Sequence, residues 1–410
     1  MKHLVLLIIF TISLQSGYAE LKDSIPETGV ERVIALNDLA RELFDSDPDK
    51  SREYSTKARD LANALEEYHE LSNALNYIGL SYYNQKQYNE AISFFQQALR
   101  ISLRIGARDK AGNIFQKIGM SYILLKDYPK AIFYYQQTVR VFEQLEHDDH
   151  VADTYFDLGV VYYLAREYSN SVNALNSALK FYTKLGNQRG KARTHSQLGS
   201  TYEEIGNLKE ALSHFQQALQ IQQLFHNQDQ IAFNLNNMGQ IYIKLKQLDK
   251  SNETLEQALK YCNKDYTELY SKILLNIGKV KFLKKDYKAA ENEYNKALVL
   301  ADSVKNSVLL SDIYHNLYLL YVETNDSRRA LDSYQKSVAL KDSTSIETPV
   351  TQTRIKTEYA GEYGNIYIAI FIVLTAIIVW LIIILIRVKN QRNIALEILR
   401  ENNIDIGVDK

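Results

Sequence analysis

One residue at one spacing restricts this chain more than any other feature. Glycine recurs as Gly79, Gly119, Gly159, Gly199, Gly239 and Gly278, each 40 residues from the last except for a final step of 39. Twelve residues after each stands a small residue: Ala91, Ala131, Ser171, Ala211, Ser251 and Ala290. Nineteen after each comes another: Ala98, Thr138, Ala178, Ala218, Ala258 and Ala297. The frame extends back to Leu39, Ser51 and Ala58 and forward to Tyr318, Ala330 and Ser337, which makes eight units. Self-similarity at a fixed period is the signature of a stacked repeat, in which one unit cannot bury its apolar face alone.

The residues between the small positions say what the unit is. Tyr82, Tyr122, Tyr162, Tyr202, Tyr242 and Tyr321 follow the first small position by three, with Lys281 as the exception. Phe95, Tyr135, Leu175, Phe215, Leu255, Tyr294 and Tyr334 precede the last by three. Small side chains let paired helix backbones approach closely, and the large ones are expected to fill the space between neighbouring hairpins. With 4 Pro and 16 Gly in 410 residues, long helices with short turns are the natural reading. Gly106-Ala107-Arg108-Asp109 and Gly186-Asn187-Gln188 look like helix-ending turns.

Gly79-x-x-Tyr82, Tyr88-x-x-Ala91 and Phe95-x-x-Ala98-Leu99 resemble the tetratricopeptide repeat. The resemblance covers nearly all of residues 31–340 and implies an all-α fold, a right-handed superhelix of about eight helical hairpins of period 40. That period exceeds the usual 34 of the family and implies helices longer by part of a turn. In the family, the first helix of each hairpin lines a concave groove. Carried onto this chain, the groove positions include Asn73, Asn76, Tyr83, Asn113, Gln116, Asp153, Phe156, Tyr163, Arg193, Ser196, Glu203, Phe233, Asn236, Gln240, Lys272 and His315. Amides both donate and accept, so a ladder of them can hold an extended peptide backbone whatever its sequence. Asn236-Asn237-Met238 resembles the paired asparagines of kinesin-light-chain-like grooves.

Composition excludes more than it proposes. Lys plus Arg (48) against Asp plus Glu (49) leaves no net field to draw nucleic acid. A single cysteine, Cys262, rules out an intrachain disulfide and any cysteine-rich zinc site. The eight histidines show no His-Glu-x-x-His spacing. No Gly-x-Ser-x-Gly elbow or phosphate-cradling loop is present, and the glycines sit at repeat spacing. Neither an enzyme nor a cofactor is expected.

The two ends are apolar. Leu4 to Leu14, after Lys2 and His3 and before Gly17-Tyr18-Ala19, reads as a signal peptide at 1–19, with a lead at 20–30 before the array at 31–340. Ile366 to Ile386 is apolar apart from Tyr367 and Thr375, and Arg387, Lys389 and Arg392 follow. A run of that length reads as one transmembrane helix at 366–388 with the C-terminus inside. A stalk at 341–365 and a tail at 389–410 complete the division. The expected placement is single-pass in a bacterial inner membrane, with the array in the periplasm. Leu340-Lys341-Asp342-Ser343 and the segment around Tyr359 resemble the membrane-proximal end of periplasmic repeat sensors in Bacteroidetes-type signalling proteins. Those relatives continue into a kinase or DNA-binding output domain, for which this tail is too short. The expected function is a membrane-anchored scaffold binding a protein or peptide in its groove. The alternative is a sensor whose output domain is absent or on a separate chain, reached through a cytoplasmic partner of the tail.

Overall fold

The computed structural model of the chain describes residues 26–345. Sixteen helices follow one another in eight hairpins among these residues. The first four hairpins pair α1 (Gly29–Leu43) with α2 (Pro48–Ala64), α3 (Tyr68–Asn84) with α4 (Tyr88–Arg104), α5 (Arg108–Leu124) with α6 (Tyr128–Gln144), and α7 (Asp148–Leu164) with α8 (Tyr168–Lys184). The second four pair α9 (Gln188–Ile205) with α10 (Leu208–Leu224), α11 (Gln228–Lys244) with α12 (Leu248–Tyr261), α13 (Thr267–Leu283) with α14 (Tyr287–Ser303), and α15 (Ser307–Glu323) with α16 (Ser327–Ser345).

Helix and turn lengths explain the period. Helices of 17 residues, such as α3 to α6, are joined by three-residue turns, so a hairpin with its turns takes 40. The middle turn residue has a left-handed backbone: Glu66, Lys86, Gly106, Lys126, Glu146 and Arg166, then onward at the same spacing to Lys246. The next N–H reaches back to close the helix, as Gln87 N does to Tyr82 O and Asp127 N to Tyr122 O, both 2.9 Å. Of these residues only Gly106, Gly186 and Gly206 are glycine. A side chain in that conformation costs roughly 1 to 2 kcal/mol, which the closing hydrogen bonds and the packing of both flanking helices offset. The step of 39 has a local cause. Helix α12 stops after 14 residues, Cys262 turns extended (φ −75°, ψ 121°), and residues 262–266 lead into α13.

The glycines meet the large residues within their own hairpin. A Cβ added at Gly79 would lie 2.6 Å from the Phe95 ring, at Gly119 2.9 Å from Tyr135, and at Gly199 2.8 Å from Phe215. The expectation that these large residues fill the gap between hairpins is therefore corrected: each seats on the glycine of its partner helix, because only there does the missing side chain leave room. The end units depart from the pattern. In the first, the register sets Leu39 against Ser55, both fully buried, so large and small have changed sides. In the last, Tyr318 stands where the six middle units have glycine, its ring lies tilted against Tyr334 with centroids 5.4 Å apart, and Tyr334, denied that seat, stays 49% exposed. The tyrosine three after the glycine stacks on the second helix: Tyr82 on Phe94, Tyr122 on Tyr134 and Tyr202 on His214. Where Lys281 replaces it, the partner position holds Glu293, and the two form an ion pair at 2.9 Å. The exception therefore keeps a contact between the same two positions.

Tyr294 carries a defect of this packing. It is fully buried against Gly278, and its hydroxyl has no hydrogen-bond partner among the described residues. Phe95 and Phe215 fill the same register without a hydroxyl. Tyr294→Phe is expected to raise stability by about 1 kcal/mol, since an unsatisfied buried polar group is removed at constant shape. Urea unfolding of both chains checks it; a loss of stability would show that the hydroxyl is bonded.

Helices two positions apart come into close contact where both are first helices: α1 with α3, then α7 with α9, α9 with α11, α11 with α13, and α13 with α15. The first helices thus form the inner side of the curve. Among the described residues no helix is long and apolar enough to cross a membrane. The longest, α16, has 19 residues with Arg328, Arg329, Asp332 and Lys336 on it, whereas a span needs about 20 apolar residues in succession. The expected single-pass placement with a periplasmic array is corrected accordingly. The segments 1–19, 366–388 and 389–410, and the stalk beyond Ser345, lie outside the described residues.

Candidate binding groove on the inner face

The inner face carries a polar ladder between successive first helices. Lys110 Nζ donates to Asn73 Oδ1 (2.7 Å), Lys117 Nζ to Asn76 Oδ1 (2.9 Å) and Gln116 Nε2 to Asp157 Oδ2 (3.2 Å). Further along, Ser196 Oγ donates to Asn234 Oδ1 (2.8 Å) and Asn276 Nδ2 to Asn236 Oδ1 (3.0 Å). Gln240 Nε2 and Lys244 Nζ both donate to Glu203 Oε1, at 2.9 and 2.7 Å. Burial perturbs the ladder's charges: it lowers the Lys117 ammonium to about 8 and pushes the Asp157 carboxyl up to about 6, the latter against the Gln116 hydrogen bond.

Most of the expected groove residues are therefore occupied by protein. Asn73, Asn76, Gln116 and Glu203 hold the neighbouring repeat. Asp153 accepts from the Tyr182 hydroxyl, and Asn113 turns back to the Asp109 carbonyl. Tyr83 and Tyr163 rest on Tyr88 and Tyr168 at their own turns, and His315 on Tyr318. Lys272 pairs with Glu268.

Seven expected residues converge on open space. A cavity of about 640 Å³ lies between α7, α9 and α11, lined by Phe156, Arg193, Ser196 and Phe233. A second, of about 850 Å³, lies between α11, α13 and α15, lined by Phe233, Asn236, Gln240 and Lys272. Phe233 and Gln230 line both, so the two adjoin along the inner face. Sequence reasoning missed Arg189, Gln230, Tyr266, Lys279 and Asp312, which also line it. Lys279 was within reach, because it follows Gly278 as Gln240 follows Gly239. Tyr266 was not, since it belongs to the irregular turn after α12.

Beneath the groove, in the hairpin of α9 and α10, His195 Nδ1 lies 3.0 Å from His214 Nδ1, and Tyr202 stacks on His214. Burial lowers His195 from its ordinary 6.5 to about 4, with His214 and Lys191 adding to the effect. Burial lowers His214 as well, against Glu210. Below pH 6.5 the unfolded chain takes up protons that the folded pair refuses, so stability falls as pH drops from 6.5 toward 4 and levels off below. The urea midpoint of the wild type is expected to fall between pH 7 and 5 by clearly more than that of His195→Phe. Equal falls would remove the pair as the cause.

The repeat model of the tetratricopeptide family matches residues 33–104, 111–184, 190–264 and 269–343, two hairpins at a time. The chain belongs to the tetratricopeptide repeat family. No curated protein matches it. Among solved structures, this tetratricopeptide array is similar to the apo form of RapI, at 15% identity and TM-score 0.59, over 82% of this chain and 98% of that one. It is similar to the apo quorum sensor NprR from B. thuringiensis, at 16% identity and TM-score 0.58, over 81% and 94%. It is also similar to aspartyl phosphate phosphatase F from Bacillus subtilis, at 15% identity and TM-score 0.57, over 80% and 92%. At such identities the likeness is one of fold, and the sixteen helices in repeat arrangement agree with the tetratricopeptide superhelix.

Proposed function

We propose that the array is a scaffold that holds an extended peptide, or an extended segment of a protein, along its inner face between α7 and α15. The observation that carries the reading is the pair of adjoining cavities that share Phe233. The ladder runs through this stretch too, but here side chains of five first helices leave open space above it, in two cavities in series. Each is within the size range of ligand sites, roughly 300–1,000 Å³. The mixture of rings and amides suits a chain with alternating side chains: amides for its backbone, rings for its apolar groups.

Phe233→Ala tests the reading, because the ring is half-buried in the wall common to both cavities. Loss of an aromatic anchor in a binding site weakens binding by about 2 kcal/mol or more. Retention of peptides from a random decapeptide pool on the immobilised chain is expected to fall at least tenfold in the variant, with helix content unchanged by circular dichroism. A wild-type chain that retains no peptide, or a variant that retains as much, would sink the proposal.

A further inference from the structure

The two halves of the groove differ in charge. The only charged side chains lining the first cavity are Arg189 and Arg193. The second is lined by four acids, Asp229, Asp265, Glu268 and Asp312, against two bases, Lys272 and Lys279. The formal charges are therefore plus two in one cavity and minus two in the other, in a protein whose net charge is −1.

The geometry leaves those charges available. Arg193 lies over the Phe156 ring with its guanidinium carbon 4.4 Å from the centroid, and Arg189 over Phe225 at 5.4 Å. Stacking uses the face of a guanidinium and leaves the N–H groups at its edge to donate in the plane. Neither guanidinium forms an ion pair or hydrogen bond among the described residues. Arg193 lies in the field of Asp157 without an ion-pair contact, and the Asp157 carboxyl accepts from Gln116 instead. In the second cavity, Lys272 pairs with Glu268 and Lys279 lies in the field of Asp312, which leaves Asp229 and Asp265 as the acids without a lysine partner. Asp229 Oδ1 is buried without a hydrogen-bond partner among the described residues.

We infer that the groove selects a dipolar segment, resting on the peptide-binding reading above: a carboxylate of the ligand sits between Arg189 and Arg193, and a cationic side chain lies toward Asp229 and Asp265. First helices of neighbouring repeats are spaced by about 10 Å, so cavity centres two repeats apart, at α9 and α13, lie roughly 20 Å from each other. An extended chain covers that in about six residues. Charge complementarity of this kind fixes register and excludes segments of the opposite polarity. The carboxylate is supplied either by an acidic side chain or by the ligand's own C-terminus.

Selection from a random pool of free decapeptides on the full-length chain, followed by affinity measurements on synthetic copies of the enriched peptides, tests this. Enriched peptides are expected to place an acidic and a basic group about six residues apart. Changing the acidic residue to its amide should weaken binding to the wild type tenfold or more, and leave binding to the Arg189→Gln/Arg193→Gln variant unchanged. Where the carboxylate is the chain end, C-terminal amidation produces the same loss and the side-chain change does not. Enriched peptides without charge separation, or losses equal in wild type and variant, would overturn the dipolar reading while leaving the scaffold intact. A chain that enriches no peptide overturns both.

Discussion

Phe215→Ala is expected to remove about 3 to 5 kcal/mol of stability. The ring is fully buried, and a Cβ on Gly199 would approach it to 2.8 Å, so it rests on bare backbone of the partner helix. Collapse around the lost ring is restricted, because α9 and α10 are each held by closed turns at both ends and cannot slide together. Most of the volume therefore stays as a cavity and its full cost is felt. In a repeat array each unit contacts mainly its neighbours, so the damage should be local. Hydrogen exchange is expected to lose protection in α9 to α11 first, with α1 to α4 close to wild type. Loss below about 1 kcal/mol, or uniform deprotection, would contradict the seat of Phe215 on Gly199.

The reversed first hairpin gives the second large effect. Leu39→Gly removes a fully buried side chain and places glycine inside α1, at a combined cost of about 3 to 5 kcal/mol. Ser55→Phe alone forces a ring against Leu39 and costs about 1 to 3 kcal/mol. The double change restores the arrangement of Gly79 with Phe95 and is expected to recover at least 2 kcal/mol relative to the sum. Residues that share one contact are where additivity fails. A double-mutant cycle by urea unfolding measures the coupling, and additive losses would mean that Leu39 and Ser55 do not face each other.

Much of the architecture was legible in the spacing. The hairpin, its 40-residue period, the small positions and the large ones all lie in local sequence, because a helix face repeats every turn. The slip to 39 was visible, though its cause, the short α12 and the extended Cys262, was not. The turns were legible at Gly106 and Gly186 and invisible at Lys86, Lys126 or Arg166, since a charged side chain carries no local mark of a left-handed backbone. The groove was legible in part. Phe156, Arg193, Ser196, Phe233, Asn236, Gln240 and Lys272 line the cavities, but the same frame also offered Asn73, Asn76 and Glu203, which the ladder consumes.

The sequence by itself determined the repeat and its helical character, because each depends on residues within one hairpin whose distance along the chain fixes their distance in space, whereas the seat of each large residue on the glycine of its own hairpin came from the structure. Only the tertiary structure decided which inner-face residues remain free to bind. That depends on partners a whole repeat away, such as Lys110 for Asn73 or Lys117 for Asn76. Whether a side chain there reaches its neighbour or faces open space is set by the angle at which hairpins stack, which the packing of the entire array determines.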